Sequence, residues 1–458
     1  MQFLCDCSRD RMEFILDFDV SSGAHAGGLL LFRLFVRSTL AAGLIAICAA
    51  GVTQAQTPPA SPSDKPTSWW DTFTITGHVE GGVSYNSRAP SDGNNFGQLF
   101  GDRANTALLN QAMLTVQRPI DPKATAFDFG FKFQGMYGTD ARYTHFLGQW
   151  DEAINDIGQI TIVEANLLFH LPFRNGSSVD FKVGQYASPM SAEVISAPDN
   201  PLYSHSYIFY FGVPFQNTGG MATIHVNDTL DLYAGLDTGA NTSVGCCSIY
   251  SGDNNSALAF LGGFGLNGLA GGALSIVALT HIGPENPNQP AIAAACNCDP
   301  NTAFRYYTDI VFNWTVNDKW TLMADFNWVR DDGFNADGYG VAGYAMYKIN
   351  DIFKVVGRAE IWRDNTGFFV GSFPGNFDYV KIEHGDPSGI VISGGNTTYS
   401  EFTLGLNITP PLPSTRFIKA LIIRPEIRYD ASLNNTTPFA AGTASNQFTF
   451  AGDVIIKF

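Results

Sequence analysis

The most regularly spaced ionisable residues in the chain are Arg424, Glu426, Arg428 and Asp430, with Ile423, Ile427 and Tyr429 at the alternate positions. Successive side chains of an extended strand point to opposite faces, so the four charges share one face. Such a ladder can be a salt-bridged wall, or part of it can face charges across a gap. Lys132, Lys182, Arg305 and Arg358 stand in the same setting, each flanked at odd offsets by largely apolar neighbours. Two acids, Glu193 and Asp199, lie apart from these in an irregular stretch with Tyr203 and Tyr207. Nucleophilic chemistry has one close candidate, Ser204-His205, but adjacent residues of an extended chain point apart. The histidines have no metal-ligand spacing. No Gly-rich phosphate loop, His-Glu-x-x-His or Gly-x-Ser-x-Gly motif is present. We therefore assign no catalytic residue, metal or cofactor. The acid pairs Glu152/Asp156 and Asp331/Asp332 read as solvated loop groups, with a calcium site as the other reading.

The elements that must position these charges are strands. Phe127, Phe129, Phe131 and Phe133 interleave with Asp128, Gly130, Lys132 and Gln134. The same period of two recurs around Val179–Val183, Trp320–Trp328, Phe402–Ile408 and Phe448–Phe458. Each strand thus has one apolar and one polar face. Short turns are expected at Asp121-Pro122, Asn175-Gly176, Asn227-Asp228, Asn267-Gly268, Asn317-Asp318, Asn350-Asp351 and Pro410 to Pro413. Mostly longer polar or Gly-rich segments alternate with them. The uncharged run Ser256 to Thr280 is long enough for a membrane helix, but its central Asn267-Gly268 favours two strands around a turn.

Composition agrees. In 458 residues only 15% are charged, aromatics reach 13%, and there are 47 glycines. Soluble domains average roughly 25% charged residues. A net charge of −16 argues against nucleic acid as a partner. Arg33 and Arg37 precede the apolar run Leu40 to Cys48, and Thr53-Gln54-Ala55 offers a cleavage site, so residues 1–55 read as a signal region. Asp10, Glu13, Asp17 and Asp19 are unusual upstream of a signal, and residues 1–32 also read as lying before the native translation start. A Pro/Ser-rich periplasmic linker follows over 56–70, ending in Trp69-Trp70 at the expected membrane surface. Cys246, Cys247, Cys296 and Cys298 fall in expected loops. In an exported protein they are disulfide candidates between two neighbouring loops.

Short and long connections alternate over residues 71–458, around about sixteen strands of about ten residues each. This is the pattern of an all-β, transmembrane, antiparallel up-and-down β-barrel in a bacterial outer membrane, with its apolar face on lipid. About sixteen strands leave room for water inside. The stretch Ala187 to Asn217 is the third external connection, and its roughly thirty residues exceed the usual loop length. From VGQYASPMSAEVISAPDNPLYSHSYIFYFGVPFQNTGG onward through the Asn227-Asp228 turn, the chain resembles the β-barrel porin-2 family of outer-membrane proteins. Val183-Gly184, Glu193-Val194-Ile195, Asn200-Pro201, Tyr203-Ser204, Ser206-Tyr207, Pro214 and Thr218-Gly219 carry the resemblance.

The resemblance implies a porin whose third loop folds inward as a constriction. Glu193, Asp199, Tyr203 and Tyr207 are then expected at the pore, opposite wall charges Lys132, Lys182, Arg305, Arg358, Arg424, Glu426 and Arg428. The function expected is passive diffusion of small hydrophilic solutes or ions. The alternatives are an outer-membrane enzyme, or a surface-binding barrel with a blocked pore. The terminal Phe458 resembles the aromatic end presented to the barrel-assembly machinery, and a homotrimer is the analogy for barrels of this size.

Overall fold

The computed structural model describes residues 68–151, 154–244, 252–413 and 417–458. The expected signal region, most of the linker, Glu152, Cys246 and Cys247 lie outside these residues. The strands are β1 (Thr74–Asn86), β2 (Ala107–Arg118), β3 (Asp128–Gly138), β4 (Gln159–Pro172), β5 (Ser178–Ala187), β6 (Gln216–His225), β7 (Leu230–Ala240), β8 (Ala259–Gly268) and β9 (Leu274–Pro284). They continue as β10 (Phe304–Thr315), β11 (Trp320–Asp331), β12 (Ala336–Lys348), β13 (Phe353–Asp364), β14 (Gly371–Ser372), β15 (Ile392–Ser393), β16 (Thr397–Ile408), β17 (Ala420–Ser432) and β18 (Asn446–Lys457). Sixteen of them form one closed antiparallel barrel. In it β13 pairs with β16, the other strands pair with their sequence neighbours, and β1 closes on β18. The short β14 and β15 pair only with each other, inside the connection from β13 to β16.

Closure follows from the chain's chemistry. Strands in hydrocarbon cannot leave an edge of unpaired N–H and C=O groups, and only a closed sheet removes both edges. The seam runs from His78 opposite Lys457 to Asn86 opposite Thr449. Beyond it, Gly77 and Phe458 exchange two backbone hydrogen bonds.

The two faces differ as the alternation requires. Along β16, Thr397, Tyr399, Glu401, Thr403, Gly405 and Asn407 are buried, whereas Phe402 and Leu404 are exposed. Phe129, Phe133, Phe326, Trp328, Phe448 and Phe450 are likewise exposed outward. An exposed belt of this kind is what lipid covers. The apolar core is elsewhere. Phe96, Tyr207, Ile208, Trp362, Tyr399 and Phe439 form a buried cluster that joins long connections to inward-facing strand positions.

The turns have a common cause. Asn227 Oδ1 accepts from the N–H groups of Thr229 and Leu230, Asn317 Oδ1 from Lys319 and Trp320, and Asn350 Oδ1 from Ile352 and Phe353. Each Asn side chain thereby replaces a backbone acceptor and sets the reversal. The turn expected at Asn267-Gly268 comes later: β8 runs through Gly268, and the reversal occupies Leu269–Ala273, with Ala270 and Gly271 at positive φ. The expected inter-loop disulfide is also corrected in part. Cys296 bonds Cys298 within one connection, after the short helix Pro290–Cys296.

The outward assignment of Phe402 is testable. Phe402→Arg places a charge near mid-strand on the lipid face and is expected to cost about 2–4 kcal/mol. Denaturant unfolding from vesicles measures it, and a loss below about 0.5 kcal/mol would contradict lipid exposure at that position.

Candidate functional site

The connection between β5 and β6, residues 188–215, begins where Pro189 removes a ladder donor. Its base is closed by the Ser188 N–H donating to Phe215 O, at 2.9 Å. In between, the chain has few backbone partners of its own. Its first turn is left-handed at Ser191 (φ 76°). A short 3-10 turn at Ala197–Asp199 and a wide turn at Ile208–Gly212 supply the only helical geometry. Asn200 holds the middle together, its Oδ1 accepting from the Val194 N–H and its Nδ2 donating to Val194 O.

Many of the other backbone groups are met by acidic and basic side chains of distant strands. Glu426 of β17 accepts from the N–H groups of Tyr203 and Ser204, at 2.9 and 3.1 Å. Glu360 of β13 accepts from Tyr207 and Ile208, at 2.7 and 2.9 Å. Asp309 and Asp325 of β10 and β11 accept from Ser191 and Ala192, at 2.7 and 2.8 Å. Guanidinium groups take the carbonyls. Arg358 donates to Ser204 O, Arg428 to His205 O, and Arg424 to Ala197 O and Asn200 O. Buried backbone groups need such partners, and charged ones bind more strongly than neutral ones.

Two close approaches seat the segment further. A Cβ added to Gly82 of β1 would lie 2.5 Å from Cζ of Tyr203, and one on Gly405 of β16 would lie 2.5 Å from Cδ2 of Leu202. Tyr203 Oη also donates to Asn110 Oδ1 of β2. The segment therefore touches strands on both sides of the β1–β18 seam.

The sequence-derived site residues divide into two groups. Glu193, expected to face a channel, is 1% exposed. It accepts from Arg358 at 2.8 Å, with both side chains fully buried, and from the Ser206 N–H. Tyr203 and Tyr207 are also buried. No water gap separates Glu193 from Arg358, so this pair is not the source of a field across open water. Arg358 also pairs with Glu401, Arg424 with Asp453, and Arg428 with Asp430. Lys132 and Lys182 share Glu164, and Arg305 pairs with Asp331. Asp199 alone among the four expected constriction residues is exposed, its carboxylate accepting from Ser196 Oγ. Two cations outside the expected set, Lys354 and Lys457, lie on the polar face and stay partly exposed. Strand phase is the signal that would find them: each shares a face with the buried charges of its strand.

Ser204 Oγ accepts from Arg358 Nη2, whereas His205 lies against Phe209 and Phe100. Burial, then Arg358 and Arg424, push His205 well below its ordinary value. Its ring is thus neutral, but stacked among aromatics rather than poised on Ser204. Among the described residues no group of His, Cys, Asp and Glu is arranged to hold a metal. Carboxylates take most of the histidines: Asp151 receives His145 and His384, Asp180 receives His170 and His225, and Asp237 receives His281.

One titratable group couples a neighbouring connection to the segment. Burial raises the Asp140 carboxyl to about 7, against hydrogen bonds from Gln111 and Asn110 and the nearby Arg142. Gln111 Nε2 donates both to Asp140 and to Ile195 O, and Gln111 Oε1 accepts from the Ala197 N–H.

The family model described as putative beta-barrel porin-2, OmpL-like, matches residues 72–458. Among solved structures, the outer membrane channel DcaP of Acinetobacter baumannii is 14% identical, covers 84% of this chain and 96% of its own, and has a TM-score of 0.51. OprB of Pseudomonas putida is 13% identical, covering 84% of this chain and 94% of its own with a TM-score of 0.49. An anion-selective porin from Comamonas acidovorans is 10% identical, covering 84% and 99% with a TM-score of 0.49. No curated protein sequence matches the chain significantly. The DcaP likeness shows the shared barrel fold. The family match extends the resemblance read from one stretch to the whole barrel.

Two outcomes test this site. Gly82→Ala forces the rigid Tyr203 ring away and is expected to cost about 1–3 kcal/mol. Faster protease cleavage within residues 188–215 reports it, and unchanged cleavage would show that Tyr203 does not hold the segment. The second concerns pH. A carboxyl raised in the folded state contributes stability that is complete below its unfolded value of about 3.9 and is lost as pH rises through the folded value. For Asp140 that window ends at about 7. Protection of 188–215 should therefore decline from about pH 4 to about pH 7, and Asp140→Asn should flatten the decline. An identical slope in Asp140→Asn would remove Asp140 from the account.

Proposed function

This chain belongs to the putative beta-barrel porin-2, OmpL-like family and is an outer-membrane porin, and on that premise we propose a passive diffusion channel whose bore is set by residues 188–215 folded inward. Its cargo is small hydrophilic solutes or ions. The observation that supports the constriction is the double row of contacts from one strand group: Glu360 and Glu426 on amides, Arg358, Arg424 and Arg428 on carbonyls. A segment bonded to polar-face side chains of β13 and β17, although it springs from β5 and β6, narrows whatever those faces enclose. Pores select by diameter and by lining charge. Buried ion pairs define the diameter, and partly exposed charges meet the solute. Asp199, Lys354, Lys457 and Lys132 are the lining charges of this proposal.

A barrel with a blocked pore and surface-binding loops is the second reading. It is favoured by the near-complete burial of Glu193, Tyr203, Tyr207 and Arg358. The homotrimer extends the proposal by analogy of barrel size. Presentation of Phe458 to the assembly machinery fits its place at the seam, where the residue stays 41% exposed.

Planar-bilayer recordings decide between the readings. The channel predicts discrete open levels. Asp199→Asn and Lys354→Gln should shift the reversal potential in opposite directions, and Glu193→Gln should leave it nearly unchanged. Glu360→Gln combined with Glu426→Gln should raise conductance by loosening the segment. Absence of any open level in the purified protein would favour the blocked barrel.

A further inference from the structure

The lipid-facing side of the barrel is not uniform. Across β10 to β13 it carries a groove of about 670 Å³, lined chiefly by Ile310, Phe326, Trp328, Tyr339, Val341 and Ile361. Trp328 stands opposite Tyr339, and Val341 opposite Ile361, so the groove lies in the strand halves nearest the long connections. Arg363, the next residue on the outward face of β13, lies at its rim.

The charge of Arg363 is the unusual feature. Its Nε donates to Asn365 Oδ1 at 2.8 Å and its Nη1 to Thr398 Oγ1 at 2.9 Å, while Nη2 donates to Asn396 Oδ1. All three partners are neutral. Nearby Arg330, on the same face of β11, pairs with both Asp332 and Asp337. Among the described residues Arg363 thus has no carboxylate within ion-pair distance, and its guanidinium, oriented by three neutral acceptors, stands at the rim of the apolar groove. A guanidinium matches a phosphate in shape and charge. An apolar groove beneath matches an acyl chain, and the amides of Asn365 and Asn396 with the Thr398 hydroxyl suit a sugar. Basic side chains near a membrane surface attract anionic headgroups.

We propose that the groove between β10 and β13 is a binding site for one phosphorylated glycolipid of the outer leaflet, with phosphate at Arg363 and an acyl chain along Phe326, Tyr339 and Val341. The site requires the barrel to be embedded in lipid and is independent of whether its pore is open.

Native mass spectrometry of the full-length protein, reconstituted with phosphorylated lipid A and then purified in detergent, tests the site. Wild type is expected to retain one lipid copy. Arg363→Ala should lower retention about tenfold or more, as loss of a charged hydrogen-bond partner predicts. Dephosphorylated lipid should be retained by wild type no better than phosphorylated lipid is by Arg363→Ala. Val341→Trp, which fills the groove, should also lower retention. Heat-modifiable electrophoretic mobility establishes that each variant compared is a closed barrel. Equal retention by wild type and Arg363→Ala, or indifference to the phosphate, would overturn the proposal. So would a second protein copy, lost in Val341→Trp, in place of the lipid.

Discussion

Backbone N–H and C=O groups that water cannot reach must find partners within the chain, and leaving one unpaired in hydrocarbon costs several kcal/mol. In the wall, strands meet this need for one another, and closure of β1 on β18 removes the last free edges. The irregular segment 188–215 faces the same requirement without a sheet to join. It meets it with side chains: carboxylates of β10, β11, β13 and β17 receive its amides, and arginines of β13 and β17 receive its carbonyls.

That arrangement changes what the buried charges are for. Arg358, Arg424 and Arg428 lie on the polar face, but each is consumed by acids and by the carbonyls of the segment. Buried ion pairs of this kind contribute little net stability, because desolvation offsets their attraction; removing one partner, however, is expensive. Their role here is positional. They hold an otherwise unpaired stretch of backbone in one register, while Asp199 and Lys354 stay at least partly exposed.

Space is arranged by small residues on the same face. Gly82 and Gly405 lack the Cβ atoms that would collide with Tyr203 and Leu202, so two strands distant in sequence receive adjacent residues of one connection. The outer face obeys the opposite demand. It keeps large side chains toward lipid, and at the external rim Arg363 has only neutral hydrogen-bond partners among the described residues.

Much of this architecture is legible in the order of residues alone. Alternation with period two, from Phe127 to Phe133 and again from Arg424 to Asp430, determined strands with one polar and one apolar face, because side-chain direction in a strand depends only on parity. Asn227, Asn317 and Asn350 determined turns through bonds to backbone two and three residues on, an interaction as local as the sequence itself. The position of the reversal after Gly268 and the Cys296–Cys298 bond are not legible there, since competing choices one or two residues apart look alike locally. Glu193 shows the larger limit. The family resemblance put it in an inward loop opposite wall bases placed by strand parity, but whether it faces water or Arg358 depends on residues more than a hundred positions away. Only the closed barrel, by bringing β13 and β17 against a connection from β5, decided which charges are buried and which remain in contact with water.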